Sequence, residues 1–360
     1  MSRAPFIDHL RVAMTALVVF HHAAITYGAA GGWYLYEAPR GSSPVLTLFV
    51  TVNQAFFMGV FFLIAGYLTP SSYKRKGARR FATDRLWRLG LPLLIFGFVL
   101  DPFTVALARA HNPTALLSYW RWLMAHGWFA SGPLWFAEAL LIFAVAYVLW
   151  GLGARPAERT ERRLPSHRAI LLSAVGVGAA AFGLRLVFPV GTTVANLQFG
   201  YFASNVFLFA VGVTAAHGRW LERVTLRLAL PWLAVSAAAL LVLLVYARIA
   251  GANGYAGGWT MKAAIYAFFE PFCAWGVILG LLWLFHARLN RPTRWTSFLS
   301  ARAYTVYVIH PPLLVGIAVA LDKWDAPGPA KTAVVGTLAC CACVVAGSAI
   351  LALPGARRVL

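Results

Sequence analysis

The first long apolar segment carries polar side chains at a spacing that suits proton transfer. It runs from about residue 10 to residue 30 and is long enough to cross a membrane as a helix. In such a helix Arg11 and His22, eleven residues apart, project from one face, and Asp8 lies about 60° from Arg11 on the same side. About 16 Å of helix axis separates Arg11 from His22, roughly half the hydrocarbon thickness. We therefore predict Arg11 at the membrane surface and His22 near the midplane.

A neutral imidazole at that depth can accept a proton from a hydroxyl and pass it to a leaving thiol, which is general acid–base catalysis. Charged groups at membrane depth are costly and are site candidates by default, so Asp8, Arg11 and His22 form a candidate catalytic set. The structural alternative is that His22 only hydrogen-bonds to a neighbouring helix. His21 points about 100° away and is predicted to be mainly structural.

A basic segment between residues 70 and 90 contains Arg85 and Arg88, three residues apart. On a helix these two arginines are neighbours on one face, and their guanidinium groups can hold a phosphate or pyrophosphate together. The alternative is an ordinary positively charged loop beside anionic lipid.

Glu138 lies at the start of a later apolar segment, three residues after Trp135 and close to Trp128. A carboxylate among aromatic residues suits a sugar, because the apolar ring faces stack on aromatic side chains while the hydroxyls seek acceptors. Trp135 and Glu138 are therefore candidate substrate-binding residues. Tryptophan also gathers at membrane interfaces as an anchor, which is the alternative for most of the 14 tryptophans.

Tyr304, Tyr307 and His310 occupy an arc of about 120° on a helix near the C-terminal end of the chain. Pro311 and Pro312 follow at once, and they should break or kink that helix and free backbone carbonyls near His310. Irregular backbone at membrane depth is tolerated where it lines a cavity. Tyr307 and His310 are therefore further candidate substrate-binding residues.

Glu270 precedes Pro271 in another apolar segment and is the last candidate substrate-binding residue. It could be a pathway residue in a transporter, a ligand for substrate hydroxyls, or a partner of Arg185 or His310. The four cysteines lack the paired spacing of a zinc site or a disulfide framework. We predict no metal and no permanently bound cofactor.

The elements that position these residues are transmembrane helices. The chain has 360 residues, of which 61% are apolar and 12% charged, whereas a soluble domain carries roughly 25% charged residues. We predict one all-α integral membrane domain over residues 1–360, a single bundle of about ten helices. The candidate spans lie near residues 10–30, 45–69, 90–108, 132–152, 169–188, 200–217, 228–250, 262–285, 303–321 and 332–353.

The basic residues predict which way this bundle faces. The net charge is +20, but Lys and Arg fall in short segments between apolar runs, a distribution typical of loops beside anionic lipid and not of nucleic-acid binding. If the N-terminus is cytoplasmic, 23 of the 31 basic residues lie on that side. We predict that both termini are cytoplasmic.

Five blocks in order along the chain resemble the membrane acyltransferase-3 family. The first runs from Phe6 to His22 and includes the separated Arg and His of that family's first helix. The others are Phe61–Leu68, Phe81–Pro92 with its Arg-x-x-Arg pattern, Leu134–Phe136 and Tyr304–Pro311. The resemblance covers nearly the whole chain, and its specificity depends on all five blocks together.

The resemblance implies an acyl-CoA co-substrate used on the cytoplasmic side of a bacterial inner membrane. The acceptor would be a hydroxyl, commonly a sugar of a glycan, a glucan or a lipid-linked saccharide, acylated on the far side. It also implies that His22 is catalytic with Arg11 as its partner, and that Arg85 and Arg88 bind the phosphates of CoA. The stretch Tyr27–Glu37 is most similar to members near the glucan succinyltransferases. No hydrolase-like domain of the kind that some members append is expected here.

Two other classes of function remain open at this point. A transporter or flippase for a saccharide or an acylated substrate would use Glu138, Glu270 and His310 as pathway groups, although no internal repeat between the halves is evident. A non-catalytic scaffold of an envelope-polysaccharide machine is the other. The sequence also leaves open the acyl group, direct transfer or a covalent intermediate, and whether the chain forms a homo-oligomer.

Overall fold

The computed structural model describes residues 4–38, 41–110, 112–153, 163–251 and 253–360. In these ranges the regular structure is helical and contains no strand. Arg3, Arg40 and most of the predicted basic loop from 155 to 168 lie outside the described residues. The prediction that both termini are cytoplasmic therefore stays a prediction.

The helices are numbered along the chain. They are α1 Pro5–Thr26, α2 Pro44–Arg85, α3 Leu91–Ile95, α4 Asp101–Arg109, α5 Pro113–Ala125, α6 Trp135–Gly153, α7 His167–Val187, α8 Phe202–Gly218, α9 Leu226–Ala250, α10 Met261–Arg288, α11 Arg294–Ser300, α12 Ala303–Ala320, α13 Gly328–Ala352 and α14 Ala356–Val359. Several begin with a side-chain cap: Ser166, Thr225 and Thr260 accept backbone N–H groups at the starts of α7, α9 and α10.

Eight helical stretches among the described residues are long and apolar enough to cross a membrane, which confirms the all-α membrane class. They are Pro44–Arg109, Gly132–Gly153, His167–Val187, Phe199–Gly218, Leu226–Ala250, Met261–Arg288, Ala303–Ala320 and Gly328–Ala352. The predicted number of ten is not reached by this criterion for two reasons. The 66-residue stretch Pro44–Arg109 holds both the second and the third predicted spans, with a kink at Gly77, where φ is +73°. Helix α1 carries charged and histidine side chains that lower its hydropathy.

The chain divides into two compact units, and each is described separately. The first unit comprises Met1–Leu10, Val52–Gly77 and Gly151–Pro292. Within it α10 packs against α7 and α9. Gly66 of α2 lies against the backbone of α8 at Phe209, so closely that a Cβ atom at position 66 would overlap that backbone. A small residue at this position therefore lets the two helices approach closely.

The second unit comprises Arg11–Thr51, Ala78–Trp150 and Thr293–Leu360. In it α12 packs against α4 and α13. Between α2 and α4 two π-helical segments interrupt the α-helix, at Leu86–Gly90 and at Phe96–Leu100, with α3 between them. Such segments are frequent at functional sites, and no sequence pattern predicts them here.

Candidate active site

The imidazole rings of His22 and His310 meet in the second unit. His22 extends from α1 and His310 from α12, and Nδ1 of His22 lies 3.1 Å from Nε2 of His310. The two rings are nearly parallel, with an interplanar angle of 14°. His310 is fully buried while His22 is only half-buried. The structure thus brings together a predicted catalytic residue and a predicted substrate-binding residue.

A backbone carbonyl determines which nitrogen atoms carry protons. Nδ1 of His310 lies 2.7 Å from the carbonyl oxygen of Tyr307. Because a carbonyl only accepts, this Nδ1 must carry a hydrogen, and Nε2 of a neutral His310 is then an acceptor. His22 consequently donates from Nδ1 to His310, which leaves Nε2 of a neutral His22 with a free lone pair. That lone pair is what a general base requires.

Pro311 explains why the Tyr307 carbonyl is available. In a regular helix this oxygen would accept the N–H of the residue four positions later, which is position 311, and proline has no N–H. The predicted release of a carbonyl near His310 is therefore realised. Of the predicted break or kink, the break is absent, because α12 continues through both prolines to Ala320.

Trp33 covers His22 from the connection between α1 and α2. The indole stacks on the imidazole with 3.9 Å between ring centroids and 13° between the planes. An aromatic face close to a ring that takes up a proton stabilises the resulting cation. The indole Nε1 is buried and has no hydrogen-bond partner among the described residues.

Tyr34, the next residue, links this connection to α4 through a hydrogen bond. Its hydroxyl donates to one carboxylate oxygen of Asp101, and the indole of Trp128 donates to the other oxygen at 2.9 Å. Burial and the Asp101 carboxylate raise the pKa of Tyr34 well above its usual value, so the phenol stays protonated and remains a donor. Asp101 lies within the predicted span 90–108 but was not among the predicted site residues. The rule that an acidic group at membrane depth is a site candidate would have found it.

Tyr34→Phe removes the hydrogen bond to Asp101 and keeps the aromatic ring. Because a hydrogen bond to a charged group contributes about 1.5–3 kcal/mol, we expect the segment around Trp33 to open more often and kcat to fall about tenfold. Hydrogen–deuterium exchange of the amides of residues 30–37 should rise in parallel. Tyr36→Phe is the matched control, since Tyr36 is 56% exposed and should change neither quantity. Unchanged exchange and activity in Tyr34→Phe would show that the bond does not hold the segment.

Glu138 and Tyr307 lie near the start of α6. The Tyr307 hydroxyl donates to the backbone carbonyl of Pro133, and its ring packs edge-on against Phe136. Oε2 of Glu138 and the hydroxyl oxygen of Ser131 are buried, and these two side chains interact with each other. A carboxylate can accept more hydrogen bonds than this one neighbour supplies, so the pair is a candidate for contact with a polar ligand. Trp135, also predicted to bind substrate, is the first residue of α6.

Arg85 and Arg88 also belong to the second unit. Arg85 is the last residue of α2 and its guanidinium lies 5.0 Å from the ring centre of Phe81. Arg88 lies in the first π-helical segment, where it forms a half-exposed ion pair with Asp84 at 3.6 Å. Both arginines therefore retain hydrogen-bond donors for a phosphate.

Asp8 and Arg11 lie on α1 as predicted, and the helix is continuous from Pro5 to Thr26. About 16 Å of helix axis separates Arg11 from His22, so the structure does not bring the two into direct contact. Asp8 falls within the first unit. No group of His, Cys, Asp and Glu side chains among the described residues is arranged to hold a metal ion.

Glu270 lies in the first unit, where it pairs with Arg185. The guanidinium of Arg185 donates to Oε2 of Glu270, and its Nε donates to the carbonyl of Gly200 at 3.0 Å. Arg185 is fully buried, and its guanidinium lies close to the rings of Tyr201 and Tyr266. Of the three roles that the sequence left open for Glu270, the structure favours partnership with Arg185.

Comparisons with known proteins point to one family. The family model described as the acyltransferase-3 "Acyltransferase domain" matches residues 5–353. The chain is also similar to "Glucans biosynthesis protein C" of Salmonella schwarzengrund (strain CVM19633), with 28% identity over 178 residues. That alignment covers 48% of this chain and 44% of the relative, so the similar stretch spans less than half of either. No solved structure matches the chain. With nearly all of its residues matched by the family model, the chain belongs to the acyltransferase-3 family and is a multi-pass membrane acyltransferase.

Proposed function

We propose that this acyltransferase moves a short acyl group, such as acetyl or succinyl, from acyl-CoA to a hydroxyl of a carbohydrate or glycolipid acceptor, with His22 as the general base. The observation that carries the proposal is the orientation of His22 through His310 and the Tyr307 carbonyl. In this orientation Nε2 of a neutral His22 carries no proton. No other nitrogen of the pair is free to accept a proton when both rings are neutral.

The reaction needs one proton to move twice. Nε2 of His22 takes the proton of the acceptor hydroxyl while that oxygen attacks the thioester carbonyl carbon. The C–S bond then breaks, and the imidazolium returns the proton to the departing thiolate. The products are an O-acyl ester and free CoA. The stacked Trp33 indole stabilises the imidazolium in between.

The donor and acceptor take different parts of the second unit in this proposal. Arg85 and Arg88 bind phosphates of the acyl-CoA through charge-assisted hydrogen bonds. Glu138, with the buried hydroxyl of Ser131, binds acceptor hydroxyls, and Trp135 and Tyr307 supply aromatic surface. The name of the similar Salmonella protein supports a glucan as the acceptor. Arg11 is separated from His22 by about half the length of α1 and, in this proposal, lies on the side of the membrane where acyl-CoA binds.

The proposed setting is a bacterial plasma membrane with both termini in the cytoplasm. The positive loops would then lie beside anionic lipid on the side where acyl-CoA is available. The acyl group is transferred beside His22, directly to an acceptor hydroxyl at or beyond the midplane. The protein needs no metal for this chemistry, since the thioester is already activated.

The test uses the purified 360-residue chain in lipid nanodiscs. Radiolabelled acetyl-CoA and succinyl-CoA are offered separately, with and without a soluble glucan, and the release of free CoA and the label on the glucan are both measured. We expect release of CoA coupled to labelling of the acceptor with at least one donor. Absence of CoA release with both donors, in a preparation that remains folded, would contradict acyl-CoA as the donor.

Pro311→Ala tests the orientation of His310. Alanine restores an N–H that shares the Tyr307 carbonyl with the His310 ring, so the orienting bond is weakened while the helix gains a hydrogen bond. We expect kcat to fall about threefold to tenfold, the equivalent of about 1 kcal/mol, with the stability of the protein maintained or raised. Pro312→Ala is the matched control, because its new N–H meets the carbonyl of Val308, which binds no histidine. Equal kcat values for the two variants would argue against this role of Pro311.

A further inference from the structure

The C-terminal turn brings two more arginines next to the segment that carries Arg88. Helix α13 ends at Ala352, and Gly355 takes the left-handed conformation with φ of +82°, which turns the chain into α14. Helix α14 contains Arg357 and Arg358, and its Cα atoms come within 8 Å of those of the π-helical segment Leu86–Gly90. Four arginines, namely Arg85, Arg88, Arg357 and Arg358, therefore lie on neighbouring turns of one unit.

The guanidinium groups of Arg357 and Arg358 retain hydrogen-bond donors for a ligand. Arg357 uses Nε to donate to the carbonyl of Leu351 at 3.1 Å, which orients its side chain and leaves both terminal nitrogens available. Arg358 is exposed, and its backbone N–H donates to the carbonyl of Gly355 at 2.9 Å, which leaves its guanidinium directed to solvent. Neighbouring positive groups repel one another, and a bound anion relieves that repulsion.

The chemistry of CoA matches two adjacent pairs of arginines. CoA carries a pyrophosphate on the 5′-oxygen of its ribose and a separate phosphomonoester on the 3′-oxygen of the same ring. We infer that Arg357 and Arg358 form a second phosphate subsite, which binds the 3′-phosphomonoester while Arg85 and Arg88 bind the pyrophosphate. Arginine suits both groups because its planar fork makes paired hydrogen bonds to phosphate oxygens. This inference rests on the proposed function, which places CoA at Arg85 and Arg88.

The same chemistry could recognise the phosphate of an anionic lipid at the membrane surface. The two sources differ in one respect that can be measured. A subsite for CoA discriminates between CoA and 3′-dephospho-CoA, whereas a lipid site does not.

The experiment measures the binding of CoA and of 3′-dephospho-CoA to the full chain in phosphatidylcholine nanodiscs, by calorimetry. In the unaltered protein we expect CoA to bind about tenfold to a hundredfold more tightly than 3′-dephospho-CoA, as for the loss of one charge-assisted contact. In the double variant Arg357→Gln/Arg358→Gln the affinity for CoA should fall to that for 3′-dephospho-CoA, so that the ratio approaches one. Arg85→Gln should weaken both ligands equally and keep the ratio.

Arg294→Gln, which removes one positive charge elsewhere in the same unit, is the control and should leave both affinities unchanged, since Arg294 is an exposed residue of α11. A double variant that still discriminates between the two ligands overturns the subsite. The subsite is also overturned if the double variant loses CoA binding only when phosphatidylglycerol is added to the nanodiscs. That result would assign the arginines to lipid. If the unaltered protein binds neither ligand, the proposed donor itself fails, and the subsite fails with it. Arg357→Lys/Arg358→Lys, which keeps the charge, should restore part of the ratio.

Discussion

His22→Ala should lower the rate of acyl transfer by about 100-fold to 10,000-fold, the range that a positioned general base contributes. The variant loses the nitrogen that takes the acceptor proton, while the affinity for acyl-CoA should persist because Arg85 and Arg88 are unchanged. CoA release at saturating donor is the measurement, and the thermal unfolding temperature in nanodiscs verifies that the protein is folded. Full activity in a folded His22→Ala variant would rule out His22 as the base.

Two companion variants separate the chemistry from packing. His21→Ala removes the neighbouring buried imidazole and should keep most of the activity. His310→Ala should cost less than His22→Ala, about tenfold to a hundredfold, because it removes a positioning group and leaves the base. The double variant His22→Ala/His310→Ala should be no slower than His22→Ala alone, since the orientation of an absent base has no effect. Additive losses would show that the two residues act independently.

Glu270→Gln should destabilise the protein by about 3–5 kcal/mol, the cost of leaving a buried charge without its partner. Arg185 is fully buried, and Glu270 is its carboxylate partner among the described residues. We expect lower yield and a thermal unfolding temperature several degrees below that of the unaltered protein in the same nanodiscs. A variant of unaltered stability would mean that water or another group compensates Arg185.

Replacement of the whole pair distinguishes a structural role from a substrate-binding one. Arg185→Met/Glu270→Leu removes both charges and should recover much of the stability, because well-packed apolar residues often replace a buried ion pair without loss. If Glu270 is structural, this folded double variant transfers acyl groups at a normal rate. If Glu270 binds substrate, the variant is folded and inactive. Arg219→Gln is the control, because its ion pair with Glu222 is 67% exposed at the arginine and contributes little.

The sequence alone was sufficient to predict membrane-spanning helices and to select polar residues within them as site candidates. The length of the apolar segments predicted the membrane helices. Polar side chains within those segments were the site candidates, among them His22, His310, Glu138 and Glu270. The consequence of Pro311 was also predictable in part, because the loss of an N–H frees a carbonyl wherever the helix lies. That α12 continues through both prolines depends on packing against α4 and α13, which a local pattern does not contain.

The sequence could not predict which side chains from distant segments meet in the site. His22 and His310 are 288 positions apart, and helical periodicity relates only residues within a few turns of one another. The stacking of Trp33 on His22 depends on an irregular connection that is held by Asp101, so neither residue could be assigned a role from spacing alone. Glu270 had three candidate partners or roles, and only the three-dimensional contacts identify Arg185 as its partner.

The stack of Trp33 on His22 has an optical consequence. An excited indole in van der Waals contact with an imidazolium loses its emission, because the cation accepts an electron, whereas a neutral imidazole quenches far less. The rings are 3.9 Å apart, within that contact range. The difference in fluorescence between the unaltered protein and Trp33→Phe therefore isolates one emitter among the tryptophans, and its intensity reports whether His22 carries a proton at each stage of turnover.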